Sequence, residues 1–263
     1  MSTADLGHPD ALRWGAPPGG RRAGSALWAQ TLEEVRMTLE QGERLLLTFV
    51  IPILGLVLFS EVPVVSTGAV PRVDFYAPSV LGLAVLSTAM VNLGIATGFE
   101  RSWGVLKRLG TTPLSPSTLL AAKLAAVFVV EVAQVVVLGA IAAGLGWRPH
   151  PAAAIGLAAG LLGTAAFAGL GFLMAGTLRA EATLALANAC YVVLLGISGI
   201  MFPLAKLGRF AAFARLLPST ALTEALHHLV GTGTAAPVES WVVLAVWAVA
   251  APLAAARAFR FSS

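Results

Sequence analysis

Charge is scarce in this chain. Only 11% of its 263 residues are Asp, Glu, Lys or Arg, against about a quarter in an average soluble domain. Cysteine is scarcer still. Cys190 stands alone, which excludes an internal disulfide and a cysteine metal cluster. The four histidines, His8, His150, His227 and His228, follow no metal-site spacing, and the adjacent pair would point to different faces of a helix. No Gly-x-x-x-x-Gly-Lys-Ser/Thr run occurs, so the chain supplies no phosphate cradle of that kind. A disulfide scaffold and a soluble nucleotide-binding enzyme are thereby excluded.

What is present is apolar. Hydrophobic residues make up 57% of the chain and its mean hydropathy is +0.84. A soluble fold cannot cover that much apolar surface, and a disordered chain does not carry it. The composition indicates an all-α integral membrane protein. The formal charge of +4 and the pI near 9.8 would suggest nucleic acid in a soluble protein. In a membrane they bear on orientation instead, and no nucleic-acid partner is expected. Arg outnumbers Lys 14 to 3, a bias of GC-rich bacterial genomes that points to a bacterial cell membrane.

Six apolar stretches are long enough to consider as spans: about 45–60, 76–98, 119–146, 152–178, 183–203 and 241–258. The first is short and holds Pro52. With both termini in the cytoplasm, twelve basic residues fall on inner segments and five on outer ones (Arg72, Arg148, Lys206, Arg209 and Arg215). The organisation predicted is a cytoplasmic tail and amphipathic helix over 1–44, a six-span domain over 45–258, and a short cytoplasmic tail over 259–263. The first 25 residues lack the apolar core and cleavage site of a secretory signal.

Residues 26–43 place Leu27, Trp28, Leu32, Val35 and Leu39 on one helical stripe, with Glu33, Glu34, Arg36 and Glu40 elsewhere. Such a helix lies in the membrane interface or packs on the rest of the protein. Segment 204–240 is too apolar for a free loop and too broken for a span. It predicts two short helices at the outer leaflet, the second starting at Pro218-Ser219-Thr220. Glycines crowd the fourth stretch, where Gly156 and Gly160 form a GxxxG. Packing within the subunit and a dimer face are both open readings.

Polar groups inside spans are costly and mark paths or interfaces. Asn92, Glu131 and Gln134 are candidates for a translocation path or subunit interface, with hydrogen-bonded packing as the alternative. Lys123, at the inner end of its stretch, joins them or serves as a snorkelling anchor. Gly196-Ile197-Ser198-Gly199 has the letters of a rhomboid-protease motif, but no histidine occupies the second stretch to partner it.

The most informative segment is 99–123. Trp103, Leu106 and Leu109 recur every three residues beside Lys107 and Arg108. A turn follows at Thr112-Pro113, then a helix start at Ser117 or Thr118. This reads as a short cytoplasmic helix fit to dock a soluble partner. The segment resembles the signature of permease subunits of type-2 ATP-binding-cassette exporters, in particular the daunorubicin-resistance-like group. The matching positions are Glu100, Arg101, Gly104, Leu106, Leu109, Thr112, Pro113, Leu114 and Lys123. Leu217-Pro218, Thr220 and Ala225-Leu226 extend the likeness, although His227-His228 stands where the group often has a basic residue.

The resemblance implies that Glu100, Arg101, Gly104, Leu106, Leu109, Thr112, Pro113 and Leu114 form a coupling element against an ATPase subunit. It also implies a second permease subunit as partner, identical or related. The chain itself would be no enzyme and bind no cofactor, with ATP and Mg held by the separate ATPase. The cargo implied is amphipathic or hydrophobic: a drug, a lipid or a cell-surface precursor. Two other classes compete. A membrane assembly factor would need no ATPase, and an intramembrane enzyme would need clustered carboxylates, His and Ser that the spans do not offer.

Overall fold

The structure, a computed structural model, describes residues 23–40, 42–62, 70–105, 116–201 and 204–259. Among them there are helices and turns and no strand. The apolar runs form α2 (Gly42–Glu61), α3 (Arg72–Ser102), α4 (Pro116–Gly144), α5 (Ala153–Thr177), α6 (Ala180–Ile197) and α8 (Val238–Ala258). Amphipathic α1 (Ala23–Glu40) precedes them, and α7 (Pro218–Leu226) comes before α8. Five of these, α3, α4, α5, α6 and α8, are long and apolar enough to cross a membrane. The first apolar stretch yields the shorter run Thr48–Glu61 at the end of α2, with Pro52 inside the helix. Proline removes one donor there and bends the helix locally.

Spans α3 and α5 form the centre. Phe167, Leu86, Met90 and Leu244 are fully buried between α3, α5 and α8. Glycine sets how closely these helices approach. A Cβ on Gly169 would overlap the backbone of Pro252 and Ala251 on α8, and one on Gly171 would lie 2.9 Å from the carbonyl of Met90. Gly163 and Gly156 receive Leu222 and Val230 of the α7 region. The glycines of the fourth stretch therefore serve packing within the subunit. Only Gly160 among those discussed has open space in front of it.

Span α3 is not a uniform helix. Leu86–Asn92 winds as a π-helix between two α-helical parts. A π-turn holds an extra residue and shifts the faces on either side of it. Its first part presents Phe75, Tyr76 and Ser79 to the far end of the bundle, and its last turns present Asn92 and Glu100 near α4. The span's 31 residues separate those two ends by about 45 Å at 1.5 Å per residue.

Segment 204–237 forms a hook. A 3₁₀ stretch, Leu204–Phe210, and one helical turn, Ala211–Ala214, come first; Phe210 and Phe213 are exposed and Ala214 is buried. Then α7 and its π-helical continuation His227–Thr232 are inserted between α3, α5 and α8, with Thr220, Leu222, Ala225 and Val230 buried. Pro218 starts α7 at a first-turn position and Gly233, at φ +69°, ends the π-turn. The hydrogen bond from Trp147 Nε1 to the Val230 carbonyl ties the hook to the α4–α5 connection. Two short helical segments are present here, and the second is buried between the long helices.

Helix α1 packs along α4 through its polar side. Thr31 and Glu34 face α4, while Trp28, Leu32 and Leu39 are 70%, 59% and 61% exposed. The apolar stripe read from the sequence points away from the protein, the reverse of a soluble amphipathic helix.

Candidate functional site

Lys123 lies two turns into α4, in a run otherwise apolar, and is 4% exposed. An ammonium in such surroundings needs a counter-charge. Its Nζ donates to Glu34 Oε2 of α1 at 2.8 Å and to Glu100 Oε1 of α3 at 3.0 Å, with Glu100 Oε2 also 2.8 Å away. Glu34 is fixed from its other side by Gln30 Nε2, which donates to Oε1 at 3.1 Å. One cation thus joins three helices. The Lys123 side chain turns inward, where two carboxylates lie within reach.

The cluster stands at one end of a cavity of about 330 Å³ between α1, α2, α3 and α4. Deeper in, Asn92 Nδ2 donates to Thr48 Oγ1 at 3.1 Å. Gln134 Nε2 donates to the Thr48 carbonyl at 3.1 Å, and Thr88 Oγ1 donates to Gln134 Oε1 at 3.2 Å. Leu93, Ile95, Val127 and Val130 supply the apolar wall. Asn92 and Gln134 thus meet through Thr48, and Asn92 and Lys123 line the cavity itself.

Glu131 is separate. Three residues before Gln134, it is turned by about 60° around α4 and meets Thr164 Oγ1 on α5. The Thr164 hydroxyl also faces the Gly160 carbonyl at 2.9 Å. Its single proton cannot serve both oxygens. The Thr164 side chain thus ties α4 to α5 at this level.

The residues expected to form the coupling element divide. Glu100 and Arg101 occupy the last turn of α3 rather than a helix of their own. Glu100 faces Lys123, and Arg101 Nη1 donates to the Ala175 carbonyl of α5 at 2.8 Å. Helix α3 then ends at an exposed Trp103 and at Gly104, whose φ of +72° suits only glycine without strain. Leu106, Leu109, Thr112, Pro113 and Leu114 lie outside the described residues. The next helix begins at Pro116, close to the predicted start.

Glu34, Thr48, Thr88 and Thr164 were not singled out by the sequence. The one available signal for Glu34 was a requirement: a lysine inside an apolar run calls for a carboxylate from another element. His227, at the opposite end, meets Ser79 rather than Ser198. Its Nε2 is 2.8 Å from Ser79 Oγ, which donates to the Phe75 carbonyl, so the imidazole carries its proton on Nε2. Burial, with His228 alongside, pushes this imidazole down to about 4.

Residues 70–257, most of the chain, match the family model described as ABC-2 family transporter protein. No curated protein matches the chain.

Proposed function

The chain belongs to the ABC-2 transporter family, and from that premise we propose that it is the permease subunit of an ATP-driven exporter of the daunorubicin-resistance-like group. It is a multi-pass membrane protein of the transport type. In the proposed arrangement α2 is the first of six spans, both termini are cytoplasmic in a bacterial cell membrane, and α1 lies in the inner interface with its exposed apolar stripe in lipid. The hook before α8 lies in the outer leaflet.

ATP and Mg are held by a separate ATPase subunit, and a second permease, identical or related, completes the membrane part. The cargo is an amphipathic or hydrophobic molecule. The single observation that carries the reading is the family membership of residues 70–257.

The geometry supplies a route for coupling. Segment 100–114 docks on the ATPase. When it is pushed, the load enters α3 directly, because Glu100 and Arg101 are part of that helix. From Glu100 it passes through Lys123 to α4 and α1, and from Arg101 to α5.

Purification of the tagged chain from its native membrane in mild detergent, followed by mass spectrometry, tests the reading. The expected result is a stoichiometric ATPase carrying a phosphate-binding loop, lost when Gly104→Trp or Pro113→Leu is introduced. A folded, inserted chain that retains no ATPase overturns it.

A further inference from the structure

The cavity beside Lys123 carries an imbalance of charge. Two carboxylates, Glu34 and Glu100, face one ammonium, so the cluster carries one formal negative charge in excess. Arg101, the nearest described arginine in sequence, turns its guanidinium to the Ala175 carbonyl of α5. Lys123 is the only cation among the described residues that line the cavity. A net charge in so confined a place is costly unless something compensates it.

The remaining walls say what kind of compensation fits. Beyond the charges the cavity is bounded by Ala126, Val127 and Val130 of α4 and by Leu93 and Ile95 of α3, with the Asn92 amide at its side. From Lys123 to Val130 is seven residues, about 10 Å along the helix. A volume of about 330 Å³ stands at the lower end of pockets that hold small organic ligands. One end thus attracts a cation and the body accepts a hydrocarbon chain.

We propose that this cavity binds the ammonium head of an amphiphile between Glu34 and Glu100, with its apolar body along Val127 and Val130. The inference deepens the permease reading, on which its meaning as a cargo or lipid site rests. The ammonium shares the spare lone pairs of the two carboxylates with Lys123, and it neutralises the site on entry. Because Glu34 belongs to α1, that helix forms one wall, and the amphiphile enters beside a helix whose outer face is apolar. Membrane lipids with amine headgroups and soluble cationic amphiphiles share this chemistry.

The test is equilibrium binding of n-decylammonium to the purified full chain in dodecyl maltoside micelles, against decanol and decyl sulfate. The amine is expected to bind about tenfold more tightly than the alcohol, the worth of one charge-assisted hydrogen bond, and the sulfate more weakly still. Glu100→Gln and Glu34→Gln are each expected to weaken amine binding about tenfold. Lys123→Met removes the competing cation and is expected to strengthen it, an effect that a purely structural ion cluster would not produce. Ala126→Leu narrows the apolar wall without touching the charges and is expected to weaken the amine and the alcohol alike.

Equal binding of the three amphiphiles overturns the proposal. So do folded Glu34→Gln and Glu100→Gln variants that hold the amine like the parent. Added phosphatidylethanolamine that competes with the probe, where phosphatidylglycerol does not, identifies a lipid headgroup as the occupant. Binding of the probe unaffected by either lipid identifies a soluble amphiphile. The assay needs no ATPase, so a failure here leaves the exporter reading standing, and a failed ATPase capture leaves this site standing.

Discussion

The two ends of the bundle are built on opposite terms. Around α7 the protein is dry and tightly interlocked: Leu222 and Val230 fill notches left by Gly163 and Gly156, and Thr220 and Ala225 are fully buried. Around Lys123 it is polar and hollow, with three charges, a hydrogen-bonded amide network and a cavity of about 330 Å³. The difference teaches how one membrane protein can hold its shape and still move. Close packing has few alternative arrangements, because interiors transmit strain rather than absorb it. A cavity crossed by long side chains has several.

If that contrast is right, side-chain size should matter most along the close-packed face of α5. Gly169→Leu drives a side chain into the backbone of α8 beside Pro252, where nothing can yield. It is expected to cost more than about 3 kcal/mol and to abolish a monodisperse peak in size-exclusion chromatography. Gly160→Leu, nine residues earlier on the opposite side of α5 and into open space, is expected to leave that peak intact. If the two variants behave alike, the interlocked picture of α5 fails.

Charge should matter most at the hollow end. Lys123→Met leaves Glu34 and Glu100 facing each other without a cation, at an expected cost of about 3 kcal/mol. The triple variant Glu34→Gln, Lys123→Met, Glu100→Gln should recover most of this, because removing all three charges also removes their desolvation. Thermal unfolding in detergent measures both. Additive losses across the three substitutions would show that the residues do not act as a unit.

A smaller effect separates the ends by pH. His227 is neutral in the folded protein, its imidazole lowered from 6.5 to about 4 mainly by burial and further by His228. The unfolded chain therefore binds more protons between those values, and its share of stability is complete above about 6.5 and declines as the pH falls towards 4. At pH 5 the expected loss is about 2 kcal/mol at roughly 1.4 kcal/mol per pH unit. His227→Gln should remove that pH dependence from the melting temperature. The smallest effect belongs to the turn after α3. Gly104→Ala at φ +72°, with open space around it, is expected to cost only about 1 kcal/mol of backbone strain. Its larger effect should be on ATPase capture.

Much of this architecture was legible because composition dominates in a membrane. Five long helices follow from five long apolar runs, and the glycines of α5 announced close contact. Sequence alone placed Asn92, Lys123 and Gln134 on one candidate list; the structure joins Asn92 to Gln134 through Thr48 and pairs Lys123 with Glu34 and Glu100. It could not separate Glu131, because three residues along a helix leave two side chains near one face yet aimed at different neighbours. The orientation of α1 was hidden for a related reason: a stripe of Trp28, Leu32 and Leu39 looks the same whether it meets protein or lipid. The burial of α7 was hidden because its residues are mild in hydropathy, and the space they fill is made by glycines some sixty residues earlier.

The π-turn at Leu86–Asn92 makes the length of α3 a functional quantity in its own right. One residue more or fewer in an α-helix rotates everything beyond it by about 100°. The extra residue of the π-turn sets the angular phase between Ser79, which meets His227, and Glu100, which meets Lys123. A single deletion between Leu86 and Asn92 would leave every side chain chemically intact and swing Glu100 off its cation. Along this helix, variation by substitution is cheap at many positions, whereas variation by insertion or deletion desynchronises one end of the molecule from the other.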